Sequence, residues 1–215
     1  MGDMKHVLFD FDGTIADSEQ AALGIINQLA DRHGYRHLRM DEIESLRRMP
    51  IRDRFRILGL PMRKLPGWAK EYNGLFSHAV EAVNPIAGMP ELIEALHSKG
   101  YVVSILSSNA ENNIRLFLER HDIRQVREVL CSHRIFSKAR MIRRHMRRNR
   151  LTAGDLFYVG DEHRDVVACK KAGVPVIWVR WGFDGYEAVA SEQPEFVAET
   201  PADILGFVGG KAVTA

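Results

Sequence analysis

Beyond residue 84, short runs of apolar residues alternate with longer segments in which apolar residues recur every three or four positions. The short runs predict buried strands, and the wider spacing predicts amphipathic helices. An alternation of this kind is typical of right-handed crossovers in a mostly parallel sheet. The predicted strands are 101–106, 129–132, 156–160 and 174–179, the last closing the series, and the predicted helices are 90–99, 110–121, 138–149 and 163–172.

Between a first apolar strand at 6–9 and this alternating region, the pattern is helical only. Leu23, Ile26 and Leu29 lie at helical spacing, and Pro50 interrupts a second helical segment. The chain is therefore predicted to hold an α/β core with an all-helical insertion after its first strand. The helices predicted in the insertion are 17–34, 41–58 and 68–83. The predicted core comprises 1–14 and 84–215, and the predicted insertion comprises 15–83.

The composition is that of an ordinary globular protein, with 46% hydrophobic and 27% charged residues among 215. No apolar run approaches the roughly 20 residues of a membrane-spanning helix. The N-terminus also has no apolar stretch typical of a secretion signal, so we expect a cytoplasmic protein with no membrane partner. Cys131 and Cys169 form no Cys-x-x-Cys pair, which argues against a zinc site or a disulfide framework.

The formal net charge is only +2, but residues 143–150 include five arginines. Such a segment is typical of a polyanion-binding surface or, alternatively, of the solvated face of a helix. In the second interpretation the apolar side of that helix carries Met141, Ile142 and Met146. Because nucleic-acid binding usually needs a broader basic surface, the second interpretation is favoured and no nucleic-acid partner is expected.

The first apolar strand ends in two carboxylates, Asp10 and Asp12, followed by Gly13. Side chains alternate between the faces of a strand, so these carboxylates point the same way. Like charges at the end of a buried strand are unfavourable unless something compensates them. A hard divalent cation supplies that compensation, and glycine then allows the chain to turn sharply. The pattern predicts a cation site at the end of this strand.

Polar residues also follow two later strands. Ser107 and Ser108 come after the strand at 101–106, where hydroxyl and backbone N–H groups suit a phosphate. Asn109, directly after them, is interpreted first as the cap of the next helix. Asp161 follows the strand at 156–160, and Asp165 lies four residues further on.

A lysine, Lys138, opens the helix predicted at 138–149. The helix dipole disfavours a cation at that end unless an anion lies beside it. Because the carboxyl ends of parallel strands share one edge of the sheet, we expect the acidic, hydroxyl and lysine groups to meet at one site.

Four segments carry these polar groups, in the chain order Asp10-Phe-Asp12-Gly-Thr, Ser107-Ser108, Lys138 and Gly160-Asp161-x-x-x-Asp165. Together they resemble the four motifs of the haloacid dehalogenase-like hydrolase superfamily. The resemblance covers essentially the whole predicted core. Its nearest likeness is to members of the phosphoglycolate phosphatase and phosphomutase type. It implies a Rossmann-like three-layer α/β core with a mostly parallel sheet, and a small all-helical cap in place of the insertion.

Carried over residue by residue, the resemblance implies a magnesium-dependent phosphatase that works through an aspartyl-phosphate. Asp10 would be the nucleophile, and Asp12 the general acid and then the general base. Magnesium would be held by the Asp10 carboxylate, the Asp12 main-chain carbonyl and the Asp161 carboxylate. The carboxylate at position 12 favours phosphate esters over carbon–halogen or carbon–phosphorus bonds as substrates.

The remaining motifs imply a phosphate-binding role. Ser107, Ser108 and Lys138 would hold the transferring phosphoryl oxygens, and Asp165 would orient Lys138 or a metal-bound water. The predicted cap is rich in arginine, and Arg47 and Arg48, beside Pro50, are the candidates for contact with the substrate. A small cap leaves a modest cavity, so the expected partner is a small phosphorylated metabolite, with a second anionic group to suit the basic cap.

Two alternatives stay open. A phosphomutase that isomerises a sugar phosphate would use the same four motifs. A non-catalytic polyanion-binding protein would instead use the basic segment at 143–150. The sequence leaves the physiological substrate, the oligomeric state and the choice between magnesium and manganese open.

Overall fold

The computed structural model describes residues 5–132 and 137–210, so the outer limits predicted for the core, residues 1 and 215, lie outside the described residues. The strands are β1 His6–Phe9, β2 Ala16–Asp17, β3 Asn84–Pro85, β4 Val102–Ser107, β5 Val126–Cys131, β6 Leu156–Gly160, β7 Val176–Val179 and β8 Phe196–Ala198. The helices are α1 Glu19–His33, α2 Ile43–Arg47, α3 Ile51–Ile57, α4 Leu65–Ala79, α5 Met89–Ser98, α6 Glu111–Arg120, α7 Lys138–Asn149, α8 His163–Ala172, α9 Tyr186–Val189 and α10 Pro201–Val208.

A parallel sheet of six strands, in the order β5-β4-β1-β6-β7-β8, forms the centre of the molecule. The central strand, β1, pairs with β4 on one side and β6 on the other, with Phe9 opposite Ile105 and Val159. The pairs β4–β5, β6–β7 and β7–β8 are parallel as well. Consequently the carboxyl ends of β1, β4 and β6 lie side by side at one edge of the sheet.

Helices cover both faces of this sheet. Val7 and Phe9 of β1 belong to one apolar cluster, which includes buried residues of α1, α4, α5, α6 and α10. Leu8 belongs to a second cluster, with Ile142 of α7 and Val166 of α8. The strand residues thus alternate between two buried faces, as expected for a parallel sheet between two helical layers. The predicted three-layer α/β fold is confirmed.

The helices α1 to α4 lie between the first strand of the sheet and its second strand in the chain. The short strands β2 and β3 pair antiparallel, with Ala16 opposite Pro85 and Asp17 opposite Asn84. This pairing holds the two ends of the helical segment side by side. Within the segment, Phe55 belongs to a separate small apolar cluster, whereas parts of α1 and α4 join the cluster on the sheet.

The observed bounds of α7, β6 and α8 are those predicted from the sequence. The prediction that the strand at 174–179 closes the series is wrong, because β8 pairs with β7 beyond it. This edge strand has three residues, too few to show an alternating pattern. Helix α4 begins at Leu65 rather than at residue 68, since Pro66 fits in the first turn, where its missing N–H removes no helical bond.

The basic helix α7 buries one side and exposes the other. Ile142 is buried, and Met141 and Met146 pack against the second cluster, while Arg148 pairs with Glu128 at 2.5 Å on the exposed side. Both cysteines of the chain are free thiols. Within the described residues, no helix has the length and apolar character needed to cross a membrane.

Candidate active site

The carboxylate of Asp10 lies at the carboxyl end of the central strand and is 3% exposed. The backbone N–H of Asp10 donates to the Val159 carbonyl at 2.8 Å, which continues the pairing of β1 with β6. Its Oδ1 accepts a hydrogen bond from the Phe11 N–H at 2.8 Å, and its Oδ2 contacts the Lys138 ammonium. Both oxygens are thereby held in place, and the carboxylate points to the edge where the strands end.

The ammonium group of Lys138 links two carboxylates. Lys138 is the first residue of α7 and is buried, and its Nζ contacts both Asp10 and Asp165. The Tyr158 hydroxyl donates to Asp165 Oδ1 at 3.3 Å. Burial lowers the pKa of Lys138, but the two carboxylates outweigh burial and raise that pKa above its ordinary value. The lysine therefore stays charged although it lies at a helix N-terminus.

Three buried carboxylates, those of Asp10, Glu162 and Asp165, have oxygens within 4.8 Å of one another. Glu162 also pairs with the guanidinium of Arg164. Burial raises the pKa of Asp10 to about 7, against the attraction of Lys138 and with the repulsion of Asp165 added. The cluster has more acidic than basic groups, and its carboxylates are buried. Magnesium prefers hard oxygen donors of this kind.

The Asp161 carboxylate lies deep beside the first turn after β1. Its Oδ1 accepts a hydrogen bond from the Thr14 hydroxyl at 2.8 Å, and its Oδ2 accepts one from the Phe183 N–H at 2.7 Å. Two glycines make room for it: a Cβ on Gly13 would lie 2.5 Å from Oδ2, and a Cβ on Gly182 would lie 2.0 Å from the Asp161 Cβ. Asp161 is not a member of the group of three carboxylates.

Burial, followed by the nearby carboxylates of Glu162 and Asp10, raises the pKa of Asp161 well above its ordinary value. A buried carboxylate with its pKa raised in this way is one whose negative charge is not fully compensated by its protein neighbours. A nearby cation would provide that compensation.

The side chain of Asp12 is half-buried and is held by Asn109. The Asn109 Nδ2 donates to both oxygens of Asp12, at 3.1 and 3.3 Å. Burial raises the pKa of Asp12, and the hydrogen bonds from Asn109 oppose that rise. A carboxyl group with a raised pKa can hold a proton and give it up, which is the property required of a general acid.

Asn109 does more than the capping role expected from the sequence. Helix α6 begins at Glu111, and the Asn109 Oδ1 accepts hydrogen bonds from the Ala110 N–H at 2.8 Å and from Asn113 at 2.9 Å. Its amide thus joins the start of α6 to the Asp12 carboxylate. The contact with Asp12 was missed because a polar residue just before a helix suits a cap equally well.

Ser107 is the last residue of β4, and Ser108 lies between it and Asn109 in the chain. The buried Ser107 hydroxyl accepts a hydrogen bond from the Asn109 N–H at 3.0 Å. The Ser108 carbonyl accepts one at 3.3 Å from Asn73, a residue of α4. The hydrogen bond from Asn73 connects the helical insertion to the loop at the end of β4, on the edge of the sheet that carries Asp10.

The two arginines of the helical insertion that were expected to contact the substrate, Arg47 and Arg48, have different surroundings. Arg47 donates to the Glu19 carboxylate at 2.6 Å and to the Gly182 carbonyl at 3.0 Å. Arg48 is exposed, and it pairs with Glu44 at 3.3 Å and approaches Glu187 at 4.0 Å. Only Arg47 of these two borders the cavity described next.

A cavity of about 230 Å³ lies between the helical insertion and the edge of the sheet. Its polar end includes Asp12, Ser108 and Asn109, and its wall is formed mainly by apolar side chains of α1, α3 and α4. The candidate catalytic carboxylate Asp12 therefore borders a partly open cleft between the insertion and the sheet.

Comparison with known proteins gives one consistent family. Residues 7–179 match the family model of haloacid dehalogenase-like hydrolases. The chain is 31% identical to a phosphoglycolate phosphatase of Synechococcus elongatus, across 95% of this chain and 97% of that protein. It is 21% identical to the pyrophosphatase PpaX of Anoxybacillus flavithermus, across 96% of this chain and 97% of that protein. A haloacid dehalogenase-like hydrolase from Streptococcus pneumoniae has the same fold, with a TM-score of 0.77 at 18% identity, across 96% of this chain and 99% of that one.

Proposed function

Since this chain belongs to the haloacid dehalogenase-like hydrolases, we propose that it is a magnesium-dependent phosphatase that hydrolyses a small phosphate monoester through an aspartyl-phosphate on Asp10. The observation that carries this proposal is the buried Asp10 carboxylate, in contact with Lys138 and next to the carboxylates of Glu162 and Asp165. Relatives named phosphoglycolate phosphatase and pyrophosphatase support phosphate-bond hydrolysis as the reaction type.

The residues present fit a divalent cation. Four buried carboxylates, those of Asp10, Asp161, Glu162 and Asp165, lie near two cations, Lys138 and Arg164, and the excess of acidic groups has no solvent to stabilise it. Asp10, the Asp12 carbonyl and Asp161 are proposed to hold magnesium, with Glu162 and Asp165 beside them. The ion, when bound, reduces the repulsion between a carboxylate nucleophile and an anionic phosphate.

In the first step, an Asp10 oxygen forms a bond to phosphorus as the bond from phosphorus to the substrate's ester oxygen breaks. Asp12 donates its proton to that leaving oxygen, so an alcohol departs and Asp10 carries the phosphoryl group. In the second step, Asp12 takes a proton from water, and the water oxygen displaces Asp10 from phosphorus. Asn109, which donates to Asp12, keeps this carboxyl group in one position through both steps.

The phosphoryl oxygens are proposed to lie between Ser107, Ser108 and Lys138. Phosphoryl transfer depends mainly on positioning and on compensation of negative charge. The Lys138 ammonium provides a buried positive charge, and it is held by Asp165, which in turn accepts a hydrogen bond from the Tyr158 hydroxyl. Asp165 acts here as a positioning residue for the lysine.

The helical segment 15–83 is proposed to be the cap domain, and 1–14 with 84–215 the core domain. The antiparallel pair β2–β3, which brings both ends of this segment together, supports that division. A cap above the edge of the sheet excludes water from the phosphoryl group until the alcohol has left. Two hydrogen bonds connect the proposed cap to the proposed core. Asn73 donates to the Ser108 carbonyl, and Arg47 donates to the Gly182 carbonyl.

Release of inorganic phosphate from an aryl phosphate tests the proposal. Wild type is measured with magnesium and with a chelator, beside Asp10→Asn and a control, Asp31→Asn, on the exposed side of α1. We expect magnesium-dependent release that Asp10→Asn reduces by about a thousandfold or more, with the control unchanged. Release that persists in Asp10→Asn, or that the chelator leaves unaffected, would contradict the proposal.

A further inference from the structure

We infer that the alcohol part of the substrate is an apolar group, an aliphatic chain or a single aromatic ring, that occupies the cavity bordered by Asp12. This inference rests on the phosphatase function proposed above and specifies its substrate class. Three features of the cavity support it: the residues that line the wall, the pairing of the charged groups, and the volume.

The wall of the cavity is apolar over the part that lies away from Asp12. The side chains that form it come from three helices of the proposed cap: Leu23 and Ile26 of α1, Ile51 and Phe55 of α3, and Trp68 and Tyr72 of α4. The rings of Trp68 and Tyr72 are stacked, with their centroids 5.3 Å apart. A surface of aliphatic and aromatic groups gains free energy by burying hydrocarbon and gains none by facing a hydrated polar group.

The other end of the cavity is polar and faces the proposed chemistry. Asp12, Ser108 and Asn109 border it there, and Asn109 donates to Asp12. A phosphate ester whose phosphoryl group lies at Ser107 and Ser108 would place its ester oxygen near Asp12. Its alcohol part would then extend into the apolar region.

The charged groups around the cavity are already paired with one another. Arg47 donates to Glu19 at 2.6 Å, and Arg164 pairs with Glu162. Each of these carboxylates borders the same cavity as its arginine. A second anionic group on the substrate would have to compete with these carboxylates for the guanidinium groups.

Arg54 is the third arginine on the cavity, and it is held by four acceptors. It pairs with the buried Asp184, and it donates to the carbonyls of Leu46 at 2.8 Å, Met49 at 2.9 Å and Arg47 at 3.3 Å. Its role is to connect α2 and α3 with the loop after β7. The pairing of these arginines favours an apolar alcohol over the anionic one that the arginine content of the cap indicated.

The volume of the cavity indicates the size of the alcohol group that it can bury. A dry apolar cavity of about 150 Å³ binds one benzene molecule, so the 230 Å³ found here has room for a ring with a short side chain or for a chain of similar bulk.

The test uses a series of straight-chain alkyl phosphates from methyl to octyl, whose ester oxygens are chemically alike beyond the first members. In wild type with magnesium, kcat/KM should rise about fourfold per methylene until the cavity is full, the factor that corresponds to burial of one CH₂ group. Phosphoglycolate, with its carboxylate, should be a poorer substrate than butyl phosphate. Equal kcat/KM along the series, or a preference for phosphoglycolate, would overturn the inference.

Two substitutions on α1 test whether the dependence of kcat/KM on chain length arises in this cavity. Ala22 borders the cavity on α1, and Ala22→Leu should lower the ratio of kcat/KM for hexyl phosphate to that for methyl phosphate at least tenfold. Gln28→Leu adds the same side chain on the exposed side of the same helix and should leave the ratio unchanged. An equal ratio in both variants would show that the chain binds elsewhere and would overturn the inference.

Binding of alkylphosphonates, measured by calorimetry with magnesium, separates this inference from the proposed function. These compounds have no ester bond to cleave, and Kd should fall about fourfold per methylene. A falling Kd without hydrolysis of any ester would retain the apolar site and contradict the phosphatase. Asp10-dependent hydrolysis, with Kd and kcat/KM both independent of chain length, would retain the phosphatase and overturn the apolar site.

Discussion

Gly182 is the residue at which the smallest change should have the largest effect on the site. In Gly182→Ala the new Cβ would lie 2.0 Å from the Asp161 Cβ, whereas ordinary contact begins at 3.4 Å. The loop after β7 must therefore move by more than 1 Å. Such a movement lengthens the 2.7 Å hydrogen bond from the Phe183 N–H to the Asp161 carboxylate beyond bonding distance.

Two costs follow from that movement. A hydrogen bond to a charged group contributes about 1.5–3 kcal/mol, and an extra methyl group in a packed site costs about 1–3 kcal/mol. We expect the free energy of unfolding to fall by about 4 kcal/mol, and Tm by about 10 °C for a chain of this length. Because Asp161 is a proposed magnesium ligand, the magnesium concentration for half-maximal activity should rise as well.

Urea unfolding and a magnesium titration of phosphatase activity measure both effects. Gly74→Ala, on an exposed position of α4 with nothing within 4 Å of the new Cβ, is the matched control and should be stabilised by about 0.5–1 kcal/mol. If Gly182→Ala unfolded within 1 kcal/mol of wild type and required no more magnesium, the steric argument would be refuted.

Two further predictions concern hydrogen bonds and a buried charge near the site. Asn109→Ala removes the donor to Asp12 and should lower kcat about tenfold to a hundredfold. Asn113→Ala removes the bonds to Asn109 Oδ1 and to the Asn73 carbonyl but leaves the donor to Asp12 in place, so it should lower stability with little change in kcat; equal kcat in both variants would contradict this role. Burial raises the pKa of Asp184 to about 6 from 3.8, so the folded state binds this proton more tightly than the unfolded chain and loses stability as pH rises from 4 to 7. Relative to wild type, Asp184→Asn should gain about 2 kcal/mol of unfolding free energy over that range, and parallel pH profiles for the two proteins would contradict it.

Strand β6 and the helices α7 and α8 could be predicted from the sequence because each of them begins and ends at a clear change of the apolar pattern. The apolar run at 156–160 is followed directly by acidic residues, and α7 and α8 have apolar residues at helical spacing. The three-residue strand β8 has no such contrast, and its pairing with β7 depends on a neighbour that is distant in the chain. Short edge strands of this kind are decided by tertiary contact.

The grouping of Asp10, Lys138 and Asp165 was expected from one rule, that parallel strands present their carboxyl ends at the same edge. The structure brings these three side chains into contact. The roles of Asn109 and Glu162 could not be assigned in the same way. An asparagine before a helix and a glutamate within an acidic turn have ordinary local uses, and only their distances to Asp12 and Asp10 assign them to the site.

The cavity shows most clearly why residue types alone do not predict which substrate a site prefers. An arginine-rich segment indicates anion binding only if the guanidinium groups lack protein partners, and the partner of Arg54 lies 130 residues away in the chain. Conversely, Leu23 and Ile26 lie at the spacing of a core-facing helix, yet in the structure they line the cavity, while Leu29 of the same helix is fully buried. The free energy available for recognition depends on which surfaces stay unpaired after folding, and here those surfaces are hydrocarbon. A relative that conserved every catalytic motif but replaced the apolar residues of α1, α3 and α4 by polar ones should therefore keep the chemistry and lose the preference for an apolar alcohol.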